Sequence, residues 1–190
     1  MVQRRFHYDR AFEAYLRSRR VPYVAVDEAK KALLPRKSLR KNLKSFDFVI
    51  YGKEINLIVD VKGRRFKEGS GAGTKKRLEC WVTRDDVESL SLWEKLFGET
   101  FQALFVFLYW CEGQPPDGLF QEVFTFQDRW YIVRAVRLAD YRRHMKVRSE
   151  KWKTVDLPAA AFREVSCPFC PPAGESIGGD ECDDSVLQPL

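Results

Sequence analysis

The sequence predicts an α/β protein built on one mixed β-sheet that is flanked by helices. Segments with helical periodicity alternate with short apolar segments of strand character, an order typical of this fold class. The segment 101–109 is almost entirely apolar, as expected of a central strand that is covered on both faces. Two pairs of neighbouring strand segments have the pattern of hairpins, which would add antiparallel strands to the sheet.

The first half of the chain predicts one helix followed by three strands. Residues 9–20 carry an apolar stripe at helical spacing, and arginines fill the remaining face. Residues 21–26 predict a short strand. Residues 46–51 and 55–62 predict two further strands, which the turn signal around Lys53 joins into a hairpin.

The second half predicts a helix, a strand and an extra hairpin. Residues 83–97 predict the helix, because Thr83 and Asp86 have the spacing of a capping box and Gly98 is a typical stop. The central strand 101–109 follows. Two more strands are then expected in the additional C-terminal hairpin, at about residues 119–126 and 129–138.

We therefore expect one domain over residues 1–165, with its core at about 6–110 and the extra hairpin at about 119–138. Residues 166–190 are rich in proline, glycine and acidic residues, and we expect them to form a disordered tail. Cys167 and Cys170 with Cys182 could bind zinc, but a structural zinc site usually has four ligands, so free thiols are the preferred interpretation.

Composition excludes several classes of protein. Apolar residues make up 45% of the chain and aromatic residues 14%, which indicates a folded protein. No segment approaches the roughly 20 consecutive apolar residues of a membrane span, and the N-terminus lacks the apolar region of a secretory signal. The five cysteines are scattered and odd in number, so they do not predict a disulfide framework. A cytoplasmic protein is the expectation.

The net charge of +6 is unevenly distributed. The segment 166–190 contains five acidic residues and no lysine or arginine, so the first 165 residues carry +11. A body this basic favours a polyanionic partner, most simply nucleic acid; a basic solvated surface is the alternative. The basic runs that could contact phosphates are Arg36-Lys37, Arg40-Lys41, Lys44, Arg64-Arg65, Lys75-Lys76-Arg77, Arg142-Arg143, Lys146 and Arg148.

Asp47 and Asp60 each interrupt a strongly apolar strand, where carboxylates are rare unless they are paired or bind a metal. If the hairpin turns about Lys53-Glu54, Asp47 falls directly opposite Asp60, with Cβ atoms about 5 Å apart on one face. Lys62 follows Asp60 by two residues and shares that face. Two like charges this close favour a divalent cation between them.

Two carboxylates and one amine on one face are suited to hydrolysis of a phosphodiester. Carboxylate oxygens are ligands that Mg²⁺ prefers, and Mn²⁺ is a possible substitute. The cation would activate water and stabilise the developing charge. Lys62 would orient the water, help to deprotonate it, or offset charge on the reacting phosphate.

Asp47 followed by Asp60-Val61-Lys62 resembles the signature of the PD-(D/E)XK nuclease superfamily, which includes restriction-endonuclease-like enzymes and archaeal Holliday-junction resolvases. The order of elements over about residues 6–110 is similar to the αβββαβ core of that superfamily. The resemblance implies a further acidic metal ligand on the first helix, for which Glu13 is the best match and Asp9 the alternative. It also implies a possible homodimer.

The sequence differs from the superfamily pattern at the start of the second helix. Many members have Gln or Lys at the start of this helix, where this chain has Trp81-Val-Thr-Arg-Asp. Arg84 could supply a similar charge. The glycine-rich segment 69–75 lacks the ending of a phosphate-binding loop, which excludes an NTPase of that type; we expect a basic loop that follows the DNA backbone or is simply disordered. Trp110, Trp130, Tyr131 and Trp152 could stack on bases, but core packing is the preferred interpretation for most of them.

Three functions remain open at this point. The first is a Mg²⁺-dependent DNA endonuclease that uses Asp47, Asp60, Lys62 and Glu13. The second is a catalytically inactive nucleic-acid-binding module of the same fold, which the intact acid and lysine positions argue against. The third is a nuclease acting on RNA, since recognition of the 2′-hydroxyl leaves no readable motif.

Overall fold

The computed structural model describes residues 3–26, 43–66, 77–113, 115 and 122–169. The strands, in chain order, are β1 (Tyr23–Ala25), β2 (Phe48–Ile50), β3 (Asn56–Phe66), β4 (Val82–Thr83), β5 (Phe101–Cys111), β6 (Val123–Phe126), β7 (Arg129–Arg137), β8 (Lys146–Ser149) and β9 (Thr154–Asp156). The helices are α1 (Gln3–Ser18), α2 (Arg84–Phe97), α3 (Leu138–His144) and α4 (Ala159–Val165).

Six strands form the main sheet in the order β1-β2-β3-β5-β7-β6. β3 and β5 are parallel, and the other neighbours are antiparallel. From Ala103 to Tyr109, every residue of β5 is buried, as its apolar sequence requires for a central strand. The predicted αβββαβ core with a mixed sheet is therefore confirmed, with the short β4 added directly before α2. The extra hairpin is also confirmed, as β6 and β7.

The main sheet separates two hydrophobic cores. On one face, Phe12 and Leu16 of α1 pack with Phe48, Val59 and other strand residues. On the opposite face, Val87 and Leu90 of α2 pack with Ile58, Phe105 and their neighbours. Because alternate residues of a strand point to opposite faces, the odd-numbered residues of β3 face α1 and the even-numbered residues face α2.

The ends of α2 are fixed by the caps that the sequence predicts. The Thr83 side chain accepts a hydrogen bond from the Asp86 amide at 3.1 Å. The Asp86 carboxylate in turn accepts one from the Thr83 amide at 2.8 Å. This capping box saturates amides that have no partner within the helix. At the other end Gly98 adopts φ 87°, and its amide donates to the Glu94 carbonyl.

Two predicted boundaries are displaced by tertiary contacts. α1 begins at Gln3, six residues before the predicted start. Its first turns are held against the sheet, since His7 hydrogen-bonds the Tyr131 hydroxyl at 2.6 Å and the Tyr8 ring lies where a side chain at Gly63 would project. β3 continues to Phe66, past the predicted end at 62, because it pairs with β5 as far as Cys111.

A second, three-stranded sheet has the order β4-β9-β8 and packs beside α2. Its buried residues Val82 and Val155 belong to the same core as Tyr141 of α3. The Tyr141 hydroxyl donates to the carbonyls of Cys80, at 2.7 Å, and Val155, at 3.2 Å. The sequence indicates only basic residues at positions 142–148 and no strand after 138, so β8 and β9 were not predicted.

The fold continues four residues beyond the predicted domain end at 165. Cys167 bridges to Ala135 of β7, and Phe169 is 2% exposed in the core on the α1 face. The Tyr15 hydroxyl donates to the Phe169 carbonyl at 3.0 Å. Residues 170–190, which include Cys170 and Cys182 of the zinc hypothesis, lie outside the described residues. Within the described part of the chain, no helix has the length and apolar character needed to cross a bilayer.

Candidate active site

The hairpin register that predicts the site is confirmed between β2 and β3. Phe48 pairs with Val59, Val49 with Ile58, and Ile50 with Leu57. In each pair the residue numbers add up to 107, as the predicted turn around Lys53-Glu54 requires. One step further along this register would bring Asp47 opposite Asp60.

Asp47 lies at that position, but the regular pairing ends there. The Asp47 amide donates to the Val59 carbonyl at 2.9 Å, one residue out of register. The Asp47 carboxylate accepts a hydrogen bond from the Val61 amide at 2.7 Å, so a side chain replaces the backbone partner of β3. Asp47 is thus held beside the peptide that links Asp60 to Val61.

Asp60 and Lys62 meet on the α2 face of β3. Asp60 is 5% exposed, and its Oδ2 atom lies 2.8 Å from the Lys62 Nζ atom. The Lys62 ammonium also lies 5.9 Å from the centre of the Phe105 ring on β5. Asp60 is therefore buried beside the apolar core and Lys62 is only 17% exposed, which is an unfavourable environment for a charge without a partner.

Burial raises the pKa of Asp60, and the nearby Asp47 carboxylate raises it further, while Lys62 opposes both effects. Burial alone would lower the pKa of Lys62, but the Asp60 and Asp86 carboxylates raise it above its ordinary value. The lysine is therefore held as an ammonium between carboxylates. Any cation that joined this cluster would favour the ionised form of Asp60.

Asp86 and Lys44 complete the cluster, and the sequence did not predict either role. Asp86 Oδ1 lies 2.8 Å from Lys44 Nζ and 3.5 Å from Lys62 Nζ. Burial alone would raise the pKa of Asp86, but Lys62 together with hydrogen bonds from Lys44 and Thr83 lowers it to about 2. Asp86 therefore both caps α2 and connects the two lysines. Its capping-box spacing was visible in the sequence, whereas its contact with Lys62 was not.

Glu13 occupies a different environment from Asp60. It accepts hydrogen bonds from Arg17, at 2.7 Å, and from the Tyr23 hydroxyl, at 2.8 Å. It belongs to α1, which packs on the opposite face of the sheet from Asp60. The hydrogen bonds of Glu13 are therefore made to Arg17 and Tyr23 and not to the cluster around Asp60. Asp9, the alternative, is adjacent to Tyr8 in sequence. The Tyr8 ring packs on Gly63, the residue that follows Lys62 on β3.

The donor atoms present fit a hard divalent cation held by few protein ligands. Within the described residues there is no group of three or more His, Cys, Asp or Glu arranged to hold a metal. Asp60 on β3 and Asp47, which directly precedes β2, provide carboxylate oxygens. Mg²⁺ commonly takes one or two carboxylates and completes its shell with water and substrate phosphate. A site with two protein ligands is chemically reasonable for this ion.

The structure also changes the interpretation of two arginines. Arg64 is not available to a phosphate, because its guanidinium lies 4.2 Å from the centre of the Trp81 ring and donates to the Gly63 carbonyl at 2.8 Å. Burial lowers its pKa. Arg84, which could have supplied a charge at the start of α2, pairs with Glu150 at 2.9 Å. The lysine nearest to Asp86 is instead Lys44.

The candidate base-stacking aromatics divide into buried and exposed groups. Tyr131 is completely buried, as the core interpretation predicted, and Trp110 and Trp130 are partly buried. Trp152 is 72% exposed and is the member of this group that lies outside the core.

The similarity of this chain to known proteins is low. No protein-family model matches the chain, and no curated protein matches it. Among solved structures, the chain is similar to Hjc, a Holliday junction resolvase from the archaeal hyperthermophile Archaeoglobus fulgidus. The TM-score is 0.47 and the sequence identity 12%, with 86% of this chain and 90% of that chain covered. A functional conclusion therefore depends on the residues of this chain.

Proposed function

We propose that this protein is a metal-dependent nuclease that hydrolyses phosphodiester bonds in DNA. The observation that carries the proposal is the contact between the buried Asp60 and the partly buried Lys62, 2.8 Å apart on one face of β3. Asp47 lies beside this pair, held by the Val61 amide. A buried acid–lysine pair next to a second acid is unfavourable for stability alone, and such arrangements are concentrated at functional sites.

The residues divide into two roles. Asp47 and Asp60 would hold Mg²⁺, for which Mn²⁺ could substitute. The ion supplies charge stabilisation at the phosphate and a more acidic water. Lys62 would offset the negative charge that develops on the reacting phosphate, since its ammonium is already aligned by Asp60 and Asp86. Asp86 and Lys44 would position Lys62 without contacting the substrate.

Glu13 is the proposed third ligand of the metal ion, from helix α1. Because Arg17 and Tyr23 both bind the Oε1 atom of Glu13, a metal ion would compete with them for this carboxylate. Asp9 is the alternative donor from the same helix.

A nucleic-acid substrate is proposed because the chain is basic apart from its acidic C-terminal segment, with +6 overall. DNA is proposed because Asp47 and Asp60-Val61-Lys62 resemble the signature of the PD-(D/E)XK nucleases. We expect binding to duplex DNA that weakens steeply with salt, since each neutralised phosphate releases counterions and contributes about −0.9 to the slope of log K against log salt. Fluorescence anisotropy with labelled duplex, in EDTA, measures this slope. An affinity that is unchanged between low and moderate salt would show that the basic surface has another purpose.

The test of the proposed activity is a cleavage assay on supercoiled, linear, branched and single-stranded DNA and on RNA, with Mg²⁺, Mn²⁺ or EDTA. We expect cleavage of DNA with either metal and none with EDTA. The exposed residue Lys95, at the far end of α2, provides a matched control, and Lys95→Ala should cut like the wild type. Binding without cleavage of any substrate would favour the inactive module, and cleavage of RNA alone would favour the ribonuclease.

A further inference from the structure

We propose that the hairpin formed by β8 and β9 binds a single-stranded stretch of DNA, and that Trp152 at its tip stacks on an unpaired base. This inference rests on the proposed nuclease function, since it assigns a second contact to the substrate of the same site. Three features of the described residues support it: the attachment of the hairpin, the exposure of Trp152 and the charge around it.

The hairpin is fixed next to the candidate active site. β9 pairs with β4, which leads directly into α2. The Arg84 amide at the start of α2 donates to the Lys153 carbonyl at 2.8 Å, and the Arg84 side chain pairs with Glu150 at 2.9 Å. Two residues later, Asp86 contacts Lys62. A strand bound at the hairpin tip would therefore lie close to the catalytic cluster.

Trp152 is presented outward from an ordered turn. Its side chain is 72% exposed, the largest exposed fraction among the exposed large hydrophobic residues in the described ranges. The turn that carries it is closed by two hydrogen bonds, from the Trp152 amide to the Ser149 hydroxyl at 3.3 Å and from the Lys153 amide to the Glu150 carbonyl at 3.1 Å. The backbone that presents the indole is already ordered, and an indole side chain has only two rotatable bonds. Binding a base would therefore cost little conformational entropy.

The charge around Trp152 suits a phosphate backbone. Lys151 places its Nζ atom 5.7 Å from the centre of the Trp152 ring. The exposed basic residues of the hairpin are Lys146, Arg148, Lys151 and Lys153. Its two acids are already paired, Glu150 with Arg84 and Asp156 with Arg77 at 2.7 Å. The hairpin is therefore cationic, and its acids would not repel DNA as free carboxylates would.

A series of ring and cation contacts links the hairpin to β3. The pairing of β8 with β9 shifts between Val147 and Ser149, where Arg148 is the extra residue. The Arg148 guanidinium lies 5.2 Å from the centre of the Trp81 ring, and that of Arg64 lies 4.2 Å from it. Arg64 is two residues after Lys62 and shares its face of the strand. These contacts hold the cationic hairpin against β3, near the proposed catalytic lysine, and its phosphate contacts would come from its exposed basic residues and not from Arg64.

Single-stranded DNA is the partner that this combination fits. Every base has a flat π-surface that stacks on an aromatic side chain, and flanking cations follow the backbone. In a continuous duplex these surfaces are covered by neighbouring base pairs, so an exposed indole has no base to contact. The hairpin would therefore distinguish unpaired from paired segments of the substrate.

The test uses the full chain in EDTA, so that binding is measured without cleavage. Fluorescence anisotropy with labelled oligothymidylate and with a duplex of equal length compares the wild type, Trp152→Ala, Trp152→Phe and Val147→Ala. Val147 is a matched control, since it is exposed on the same hairpin but cannot stack. Circular dichroism confirms that each variant is folded.

We expect Trp152→Ala to bind oligothymidylate about fivefold to fiftyfold more weakly, with duplex affinity nearly unchanged. Trp152→Phe should retain most of the affinity, and Val147→Ala should bind like the wild type. Wild-type binding of oligothymidylate by Trp152→Ala, or an equal loss for single strand and duplex, would overturn the inference. Failure of the proposed nuclease function would appear instead as absence of cleavage with Mg²⁺ and Mn²⁺, which this binding experiment does not measure.

Discussion

The two faces of β3 have the same backbone but opposite roles. On the α1 face, Val59 and Val61 are buried among apolar side chains. On the α2 face, the residues that alternate with them are Asp60 and Lys62, which form a buried ion pair. Burying an apolar side chain of this size stabilises a protein by about 1.5–3 kcal/mol, whereas burying an ion pair often gives no net stabilisation.

The difference indicates that stability and chemistry are assigned to opposite faces of one strand. A shift of one residue in the β2–β3 register would move Asp60 and Lys62 to the α1 face and the valines to the α2 face. The contacts of Val59 and Val61 with α1 therefore also fix where the charged pair points. Three stability measurements test this division between the two faces.

The largest change in stability is expected from Phe12→Ala, which removes an aromatic ring from the hydrophobic core on the α1 face. Phe12 is fully buried and contacts Phe48 and Phe169. Its removal should lower the free energy of unfolding by about 3–5 kcal/mol, measured by urea denaturation at pH 7. Phe97→Ala is the control, since Phe97 on α2 is 36% exposed and should be less costly. Equal losses in the two variants would contradict the assigned role of the α1 face.

The second change replaces the charged pair on the α2 face with apolar residues. The double variant Asp60→Val with Lys62→Met should be at least as stable as the wild type, by up to about 1–4 kcal/mol, because the desolvation of both charges is removed. Lys44 would remain as the partner of Asp86. Urea denaturation of the double variant tests this, and a marked loss of stability would show that the pair is retained for structural reasons.

The smallest effect concerns the pH dependence of Asp86. Its pKa in the folded protein is about 2, below the ordinary value of 3.8, so its ionised form is favoured by folding. This contribution is fully present above about pH 5 and is lost as the pH falls through 4 towards 2, by about 1–2 kcal/mol. Urea titrations across this range should show a smaller decline for Asp86→Asn than for the wild type. Parallel declines would mean that Asp86 gains nothing from Lys62 and Lys44.

Much of the fold and the centre of the site could be predicted from local patterns. Acids that interrupt two apolar strands were visible in the sequence, and the hairpin turn set the register that placed Asp47 near Asp60. Strand periodicity then placed Lys62 beside Asp60. The Thr83–Asp86 spacing predicted the start of α2. Each of these predictions depends on residues that are close in sequence.

The remaining features depend on contacts between distant segments. Lys44 and Asp86 are 42 residues apart, and no local pattern indicates that they meet. The pairing of β4 with β9 likewise joins residues about 70 positions apart and creates the second sheet. Arg64 belongs to a basic run in the sequence, and only the fold shows that its guanidinium packs against the Trp81 ring. The exposure of Trp152 could not be predicted, because the exposed fraction of a side chain depends on the packing of the whole domain.

The most direct test of the central claim compares Lys62→Ala and Asp60→Ala with the wild type in metal titration, DNA binding and cleavage. Lys62 is not a plausible Mg²⁺ ligand, since an ammonium has no lone pair, and its proposed contribution arises at the transition state. Lys62→Ala should therefore lower cleavage by about 10²- to 10⁴-fold with metal and DNA affinity largely intact. Asp60→Ala should lose metal affinity and activity together. Cleavage by Lys62→Ala at near wild-type rate would contradict the account, because Lys62 would then be only a structural counter-ion.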